Sequence, residues 1–419
     1  MTYEQVLTYI DSAIWHGSRL GLSRTRELLE RLGNPQDKLR FVHIAGTNGK
    51  GSTSAMLSFV LQQAGYRVGL YISPFVNVFS ERMQVNNEPI GDDALVEIAI
   101  EVAAQAEQMT DKPTEFELIT AIAMCFFVRS RCDIVILEVG LGGRLDSTNV
   151  IKTPLVAVIT AMGFDHQKQL GNTMREIATE KAGIIKEGGD VVVYGANPEA
   201  EAVFAVVCRA RSARLRQPDF GALTPLSLTL KGQTFRYMGE TYSLSLLGCY
   251  QPRNAAVALT VLDVLREKGF AIPTEAVHEG LARTRWPARF EVLHEKPAVI
   301  VDGGHNPEGV EGTVDSLCAL FPDQKIHFVV GMMADKDAKT MLSELTPLAA
   351  AWYTVRPNCP RALPAADLAK LLSDLPIPVT VADTVEEGVR LAMQDAGPDG
   401  VVCAVGSLYM SGTIRAMFA

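Results

Sequence analysis

A lysine set among glycines is the first chemically capable feature of the chain: Gly46-Thr47-Asn48-Gly49-Lys50-Gly51-Ser52. Glycines let backbone N–H groups approach an anion, and an ammonium reaches the outer phosphates of a nucleotide. A hydroxyl such as that of Ser52 or Thr53 suits Mg²⁺. The general phosphate-loop pattern calls for glycine at position 44 and Ser or Thr directly after the lysine. Ile44 and Gly51 stand there instead, so these residues also fit an ordinary strand-to-helix turn. A hydroxyl (Ser73), a carboxylate (Glu138) and an imidazole (His166) supply further groups that Mg²⁺-dependent phosphate chemistry can use. Singly, Glu138 also reads as an acid at the core edge and His166 as a core histidine. Asp302 and His305, in DGGHNP (302–307), could contact a nucleotide or substrate, or form a turn capped by Asn306. Arg289 is a candidate phosphate clamp or a solvated charge beside Glu291. Glu180-Lys181, by spacing alone, fits a surface ion pair.

The elements that must position these groups alternate. Phe41–Ala45 is a short apolar strand, the glycine loop follows, and Met56, Leu57, Val60 and Leu61 recur at helical spacing. Strands also fit Tyr66–Ile72, Asp133–Val139, Leu155–Thr160 and Asp190–Tyr194. Helices fit Tyr3–Ile14, Ser23–Leu32 with Ser23 as N-cap, Asp92–Gln108 with its cap in the Gly91-Asp92 turn, 173–185 and 251–268. Residues 73–91 read as loop. Thr114-Glu115-Phe116-Glu117 is a capping-box pattern that starts a helix running to Phe127. The alternation predicts a doubly wound, mainly parallel α/β sheet, whose ligands bind beyond the carboxyl ends of the strands. Ser52, Ser73, Glu138 and His166 all fall there. Residues 213–247 read as small antiparallel strands inserted in a first domain spanning 1–295. A smaller Rossmann-like α/β domain, 296–419, then has strands at Ala298–Asp302, Ile326–Gly331, Ala351–Val355, Val379–Ala382 and Val401–Gly406.

The chain's 419 residues exceed one ordinary domain, and 47% hydrophobic with 21% charged residues describe a globular protein with a large core. A net charge of −9 argues against a general nucleic-acid binder. Seven cysteines without a CxxC pair indicate neither a disulfide framework nor a zinc site. The N-terminus lacks the basic start and apolar core of a signal peptide, and no apolar run reaches the roughly 18 residues of a membrane span. The expectation is a cytoplasmic protein.

In order along the chain stand GTNGKGS (46–52), SPF with ER (73–75, 81–82), TEFE (114–117) and EVGLGGRLDSTNV (138–150). DH…LGNT…IATEKAGIIK (165–186), RWPARFE (285–291) and DGGHNP follow. Together they resemble the folylpolyglutamate synthase (tetrahydrofolate synthase) family, often bifunctional as dihydrofolate synthase. It is a branch of the Mur-ligase-like ATP-dependent amide ligases. The resemblance extends to Gly406-Ser407-Leu408-Tyr409.

It implies that Thr47, Asn48, Gly49, Lys50, Gly51 and Ser52 hold ATP phosphates, with Asn254, Arg289 and Asp302 as further ATP contacts. Ser73, Glu138 and His166 match Mg²⁺ ligands. Lys181 matches a lysine whose carbamate supports a second metal, and His305 falls on the glutamate and phosphate side. Glu115, Phe116, Glu117 and Leu145 match the pteridine pocket. The implied substrates are ATP, L-glutamate and a folate, either tetrahydrofolate or dihydropteroate, acted on by a monomer. Tyr250 stands where a His often precedes Gln251 and Asn254. Ala288 replaces a common Gly, Gly304 a common Ala, and Phe75 the His of some relatives.

The implied chemistry is an amide ligase. A carboxylate is phosphorylated by ATP, and the amine of glutamate displaces phosphate from the resulting acyl phosphate, shielded from water by closure of two domains. A Mur-type ligase acting on a cell-wall precursor would share fold and chemistry. A nucleotide switch or transport ATPase would need only the first domain, with Glu138 as its acid.

Overall fold

The structure, a computed structural model, describes residues 1–13 and 21–419. The chain divides into two compact units: Met1–Phe220 with Asn254–Arg283, and Gly221–Arg253 with Thr284–Ala419.

The first unit is built on an eight-stranded sheet. Its strands are β1 (Phe41–Ala45), β2 (Val68–Tyr71), β3 (Met83–Val85), β4 (Glu88–Pro89), β5 (Ile134–Glu138), β6 (Val156–Ile159), β7 (Asp190–Val193) and β8 (Arg214–Arg216). The order is β4-β3-β2-β5-β1-β6-β7-β8, parallel from β2 to β8, with β3 and β4 antiparallel at one edge. Every residue of β1, β2, β5, β6 and β7 is buried, as an interior parallel sheet covered on both faces requires. Helices Asp92–Ala106 and Glu115–Arg129 pack on one face with Tyr3–Ser12 and Ser23–Arg31, around Leu95, Ile98, Ile119 and Phe127. Helix Met174–Ala182 and helix Pro198–Ala210 cover another part of the sheet around Ile159, Ala178, Val191 and Phe204.

The helix Lys50–Gln63 lies under helix Thr274–Arg283 at such close range that a Cβ on Gly280 would sit 2.5 Å from Val60 Cα. Only glycine allows that approach.

In the second unit, β9 (Leu223–Thr229), β10 (Gly232–Tyr237) and β11 (Glu240–Leu244) form an antiparallel three-stranded sheet. This sheet groups with the C-terminal part, although the sequence reading counts residues 213–247 with the first domain. The six-stranded sheet comprises β12 (Glu291–Glu295), β13 (Ala298–Asp302), β14 (Ile326–Val330), β15 (Ala349–Thr354), β16 (Val379–Val381) and β17 (Val401–Val405). Its order is β12-β13-β17-β14-β15-β16, parallel except for β12. Apolar clusters cover both faces, one around Phe328 and Trp352 and the other around Tyr353 and Val389.

The doubly wound α/β class expected from the alternation is the fold observed; the differences are local. Ile14, the expected end of the first helix, lies outside the described residues. Leu22, not Ser23, caps the second helix, and no side chain bonds there. Gly91, inside the expected turn, caps the helix, which ends at Ala106 and not Gln108; Asp92 and Asp93 occupy its first turn, where the helix dipole favours acids. The expected loop 73–91 contains the β3–β4 hairpin. Asn86 and Asn87, at φ 54° and 64°, make the left-handed two-residue turn that such hairpins favour. Arg214–Arg216 is a parallel edge strand of the large sheet, not part of the antiparallel insert. Helix Pro198–Ala210, unread in the sequence, starts from an Asn197 cap. Among the described residues no helix is long and apolar enough to cross a membrane.

One buried polar group beneath the glycine loop has a measurable consequence. His43 on β1 is fully enclosed, with Nε2 2.9 Å from Thr148 Oγ1. Thr148 donates its own proton to Asp146 Oδ1, so the imidazole proton belongs on Nε2, and Nδ1 is enclosed without a partner. Burial, reinforced by the charge of Lys186, holds the His43 pKa down to about 3. An unfolded histidine titrates near 6.5, so between these values the unfolded chain binds more protons and stability falls as pH falls. From about pH 7.5 to pH 5 this group alone is expected to remove about 2 kcal/mol. Urea midpoints of the wild type and of His43→Gln, compared at both pH values, check it. Equal pH dependence in the two proteins refutes it.

Candidate active site

The site in the first unit forms where β2, β5, β1 and β6 end side by side. Register pairs Tyr71 with Leu137, Ile44 with Glu138 and Ala45 with Ile159. The segments leaving these strands carry Ser73, Glu138, the glycine loop and His166. Gly46, at φ 146°, has no room for a side chain, since a Cβ would lie 1.9 Å from Thr160 Oγ1. The loop is tied to the β6 exit by N–H donation from Thr47 and Asn48 to Ala161 O (2.9 and 3.1 Å) and from the Thr47 hydroxyl to Gly163 O (3.0 Å). Gly49, at φ 86°, caps the helix that begins at Lys50. The Lys50 ammonium donates to Gly46 O and Thr47 O, each at 3.2 Å. Ser52 is nearly buried, and Thr53 is wholly enclosed. The expected strand, glycine loop and helix are therefore all present.

Asn254, nearly buried in the helix Gln251–Glu267, lies against this loop. A Cβ on Gly49 would come within 2.6 Å of Asn254 Oδ1. Gly49→Ala therefore strains a left-handed backbone and displaces Asn254. It is expected to cost about 1–2 kcal/mol of stability and to raise KM for ATP by about tenfold. Thermal melts and ATP saturation curves measure both; an unchanged KM contradicts the placement.

Glu180 and Lys181 have separate roles. Glu180 pairs with Arg144 at the surface (2.8 Å), while Lys181 is 4% exposed and donates to Gly46 O at 2.7 Å. Two ammonium groups, Lys50 and Lys181, thus converge on one carbonyl. Burial, then repulsion by Lys50, pulls the Lys181 pKa down to about 7, against the opposing charges of Asp165 and Asp146.

Ser73 follows β2, and its hydroxyl accepts from Arg82 Nη1 (3.2 Å). Glu138 closes β5 at 5% exposure. His166 is not a core histidine: its side chain is 40% exposed, with Nε2 3.7 Å from Asp165 Oδ2. Among the described residues no three His, Cys, Asp or Glu side chains cluster as a metal site. The expected set supplies only two such groups, with a serine hydroxyl as the third. A hydroxyl and a carboxylate are hard oxygen donors, and the chemistry of that donor set fits Mg²⁺.

On the expected pteridine side, Thr114 and Glu117 form the capping box that starts helix Glu115–Arg129. Glu117 is committed to structure. It accepts from Thr114 N (2.8 Å), and Arg24 pairs with it at 3.0 Å in a buried contact. Phe116 covers the exit of β5, where a Cβ on Gly140 would meet its ring at 2.5 Å. Leu145 is partly buried in the segment after β5.

Arg82 has no role in the sequence reading beyond its place in the ER motif, yet it links several of these residues. It touches Ser73, approaches Glu115 (4.0 Å) and lies over the rings of Phe75 and Phe79 (5.2 and 5.8 Å). A cation preceded at short range in sequence by two aromatic rings was the available signal.

In the second unit, Asp302 closes β13 at 2% exposure. Its Oδ1 accepts from Gly304 N (2.7 Å) and its Oδ2 from the Tyr250 hydroxyl (3.2 Å). Burial raises the Asp302 pKa, and the charge of Arg289 opposes that rise. Arg289 is half-buried. Its expected neighbour Glu291 pairs with Arg415 (3.0 Å) and accepts from Ala288 N (2.8 Å). His305 Nδ1 lies 2.8 Å from Gly303 O, which places a ring proton on that nitrogen. Asn306 caps helix Pro307–Leu320 through Gly309 N (2.8 Å).

Residues 44–262 match the Mur ligase middle domain, and residues 288–408 the Mur ligase glutamate ligase domain. A folylpolyglutamate synthase of Lacticaseibacillus casei is 38% identical, covering 99% of this chain and 98% of that protein. A dihydrofolate synthase/folylpolyglutamate synthase of Bacillus subtilis is 36% identical over the same shares. The crystal structure of Mycobacterium tuberculosis folylpolyglutamate synthase, complexed with ADP and AMPPCP, superposes with a TM-score of 0.90 at 28% identity, covering 100% of this chain and 99% of that one. A phosphate loop on a doubly wound sheet, a glutamate ligase domain after it, and full-length similarity to these proteins agree: the chain belongs to the folylpolyglutamate synthase/dihydrofolate synthase branch of the Mur ligase family.

Proposed function

We propose that the protein is an ATP-dependent ligase that joins L-glutamate to the terminal carboxylate of a folate through an acyl phosphate. The observation that carries this reading is the pair of lysines, Lys50 and Lys181, converging on the Gly46 carbonyl of a phosphate loop. The glycine-loop N–H groups and Lys50 bind the β- and γ-phosphates and draw off negative charge as the substrate carboxylate attacks. Ser73, Glu138 and His166 are the residues that would hold Mg²⁺, which when bound neutralises charge between the phosphates. Lys181, enclosed and with a pKa near 7, is populated as the neutral amine that adds CO2, and its carbamate would serve a second Mg²⁺. Asn254, Arg289 and Asp302 orient the nucleotide. His305 serves the phosphate and incoming-glutamate side. Phe116, Glu115 and Leu145 line the pteridine side, with Glu117 holding their helix in place.

The names of the relatives support a second acceptor, dihydropteroate, converted to dihydrofolate by the same chemistry. They do not favour a cell-wall precursor. Seven free cysteines fit a cytoplasmic setting.

ADP release is measured with tetrahydrofolate or dihydropteroate, each with and without glutamate. Release that requires both a folate-type acceptor and glutamate is expected. ATP turnover indifferent to both overturns the proposal and favours a nucleotide switch.

A further inference from the structure

Tyr250 is a partly buried phenol that the proposed chemistry does not use. Its hydroxyl donates to Asp302 Oδ2 at 3.2 Å, and its ring is held by two close glycines. A Cβ on Gly248 would come within 2.9 Å of the ring, and one on Gly312 within 2.8 Å. Gly248 also sits at φ 115°. Space along the Cδ1–Cε1 edge of the ring is thus reserved by two residues without side chains, and the hydroxyl is delivered to one carboxylate oxygen.

We propose that Tyr250 is a positioning residue for nucleotide binding: its O–H fixes the orientation of the Asp302 carboxylate and keeps it an acceptor for hydroxyl groups of the ligand. This rests on the reading of Asp302 as a nucleotide contact. A buried carboxyl with too few donors is driven toward its protonated form, which cannot accept from two hydroxyls at once. Four features oppose protonation of Asp302: the charge of Arg289, the Gly304 N–H on Oδ1, the Tyr250 O–H on Oδ2 and the Thr313 hydroxyl. The phenol is the member that a single atom's removal tests. Tyr250→Phe keeps the ring against its glycines and deletes only the donor.

AMPPCP binding in Mg²⁺ buffer is titrated for wild type, Tyr250→Phe and Asp302→Asn, and ATP-dependent turnover is measured alongside. Tyr250→Phe is expected to weaken AMPPCP binding and to raise KM for ATP by about tenfold. Its kcat at saturating ATP should change by less than about twofold, because the hydroxyl acts through Asp302. A purely structural tyrosine would lower the melting temperature and leave the KM-to-kcat split unmoved; that result overturns the proposal. If Asp302→Asn weakens AMPPCP binding and Tyr250→Phe does not, the proposal fails while the Asp302 reading stands. If Asp302→Asn binds normally, the Asp302 reading fails and takes the proposal with it. Should Tyr250→Phe not fold, Gly312→Ala, which shifts the ring and retains the hydroxyl, decides. Weaker AMPPCP binding in a folded Gly312→Ala supports the proposal, and unchanged binding overturns it.

Discussion

Lys50→Ala is expected to lower folate- and glutamate-dependent ADP release at least about 10³-fold, equivalent to about 4 kcal/mol of transition-state stabilisation. The chain as a whole is acidic, at −9, so attraction for a polyphosphate must be local. Lys50 supplies it at the start of a helix, whose N-terminus adds partial positive charge. In this structure its ammonium is held by two carbonyls of its own loop, at distances that a phosphate oxygen can better. Lys50→Arg is expected to fail nearly as badly, because a planar fork cannot occupy the position of a compact ammonium. The fold should survive, since removing the ammonium also relieves its repulsion of the enclosed Lys181; a melting temperature within a few degrees of wild type checks this. Retention of more than about a tenth of the activity by Lys50→Ala would remove the phosphate loop from the mechanism.

The second large effect concerns Lys181. Lys181→Ala is expected to reduce turnover by about 10²–10³-fold, the range for loss of one preorganised charge at a reacting phosphate. A short carboxylic acid such as acetate should restore part of it by occupying the vacated space with an anion. The proposed carbamate makes a separate physical prediction. Carbamate forms from the neutral amine, and burial brings the Lys181 pKa down from 10.5 to about 7. Intact-mass measurement in bicarbonate should show one added CO2 above pH 7, lost as the pH falls below it. The unfolded lysine stays protonated up to about its ordinary value. This group therefore makes stability rise with pH between about 7 and 10.5, as the folded amine sheds its proton first. A Lys181→Ala protein with near-normal turnover, or a wild type without the mass increment, would refute the carbamate.

How far the sequence could be read depended on how local each signal was. The glycine loop and the capping box at Thr114 are encoded within a few consecutive residues, and both appear where expected. The interior strands are continuous apolar runs and were equally legible. The β3–β4 hairpin escaped because strands of three and two residues are too short to show alternation, and its turn is Asn-Asn rather than the commoner Asn-Gly. β8 falls with the antiparallel insert in the sequence because an exposed edge strand reading Arg-Leu-Arg has no apolar run to mark it as part of the parallel sheet. Glu180 and Lys181 are adjacent and of opposite charge, so spacing favours a surface pair. Only the packing of Arg144 against Glu180, and of Lys181 beneath Gly46, separates them. The roles of Arg82 and Arg24 depend on partners brought from distant segments, which a linear reading does not contain.

The division of the chain into two units places three junctions along the backbone, after Phe220, Arg253 and Arg283. The second of these falls inside the helix Gln251–Glu267. Neither unit is therefore one uninterrupted stretch of polypeptide. A protease nick at a single junction would leave covalent bridges at the other two, and a chimaera exchanging one unit with a relative would have to graft two non-adjacent segments. A fragment starting at residue 296 would lack β9 to β11 as well as Tyr250, the donor to Asp302, and so would not reproduce the second unit.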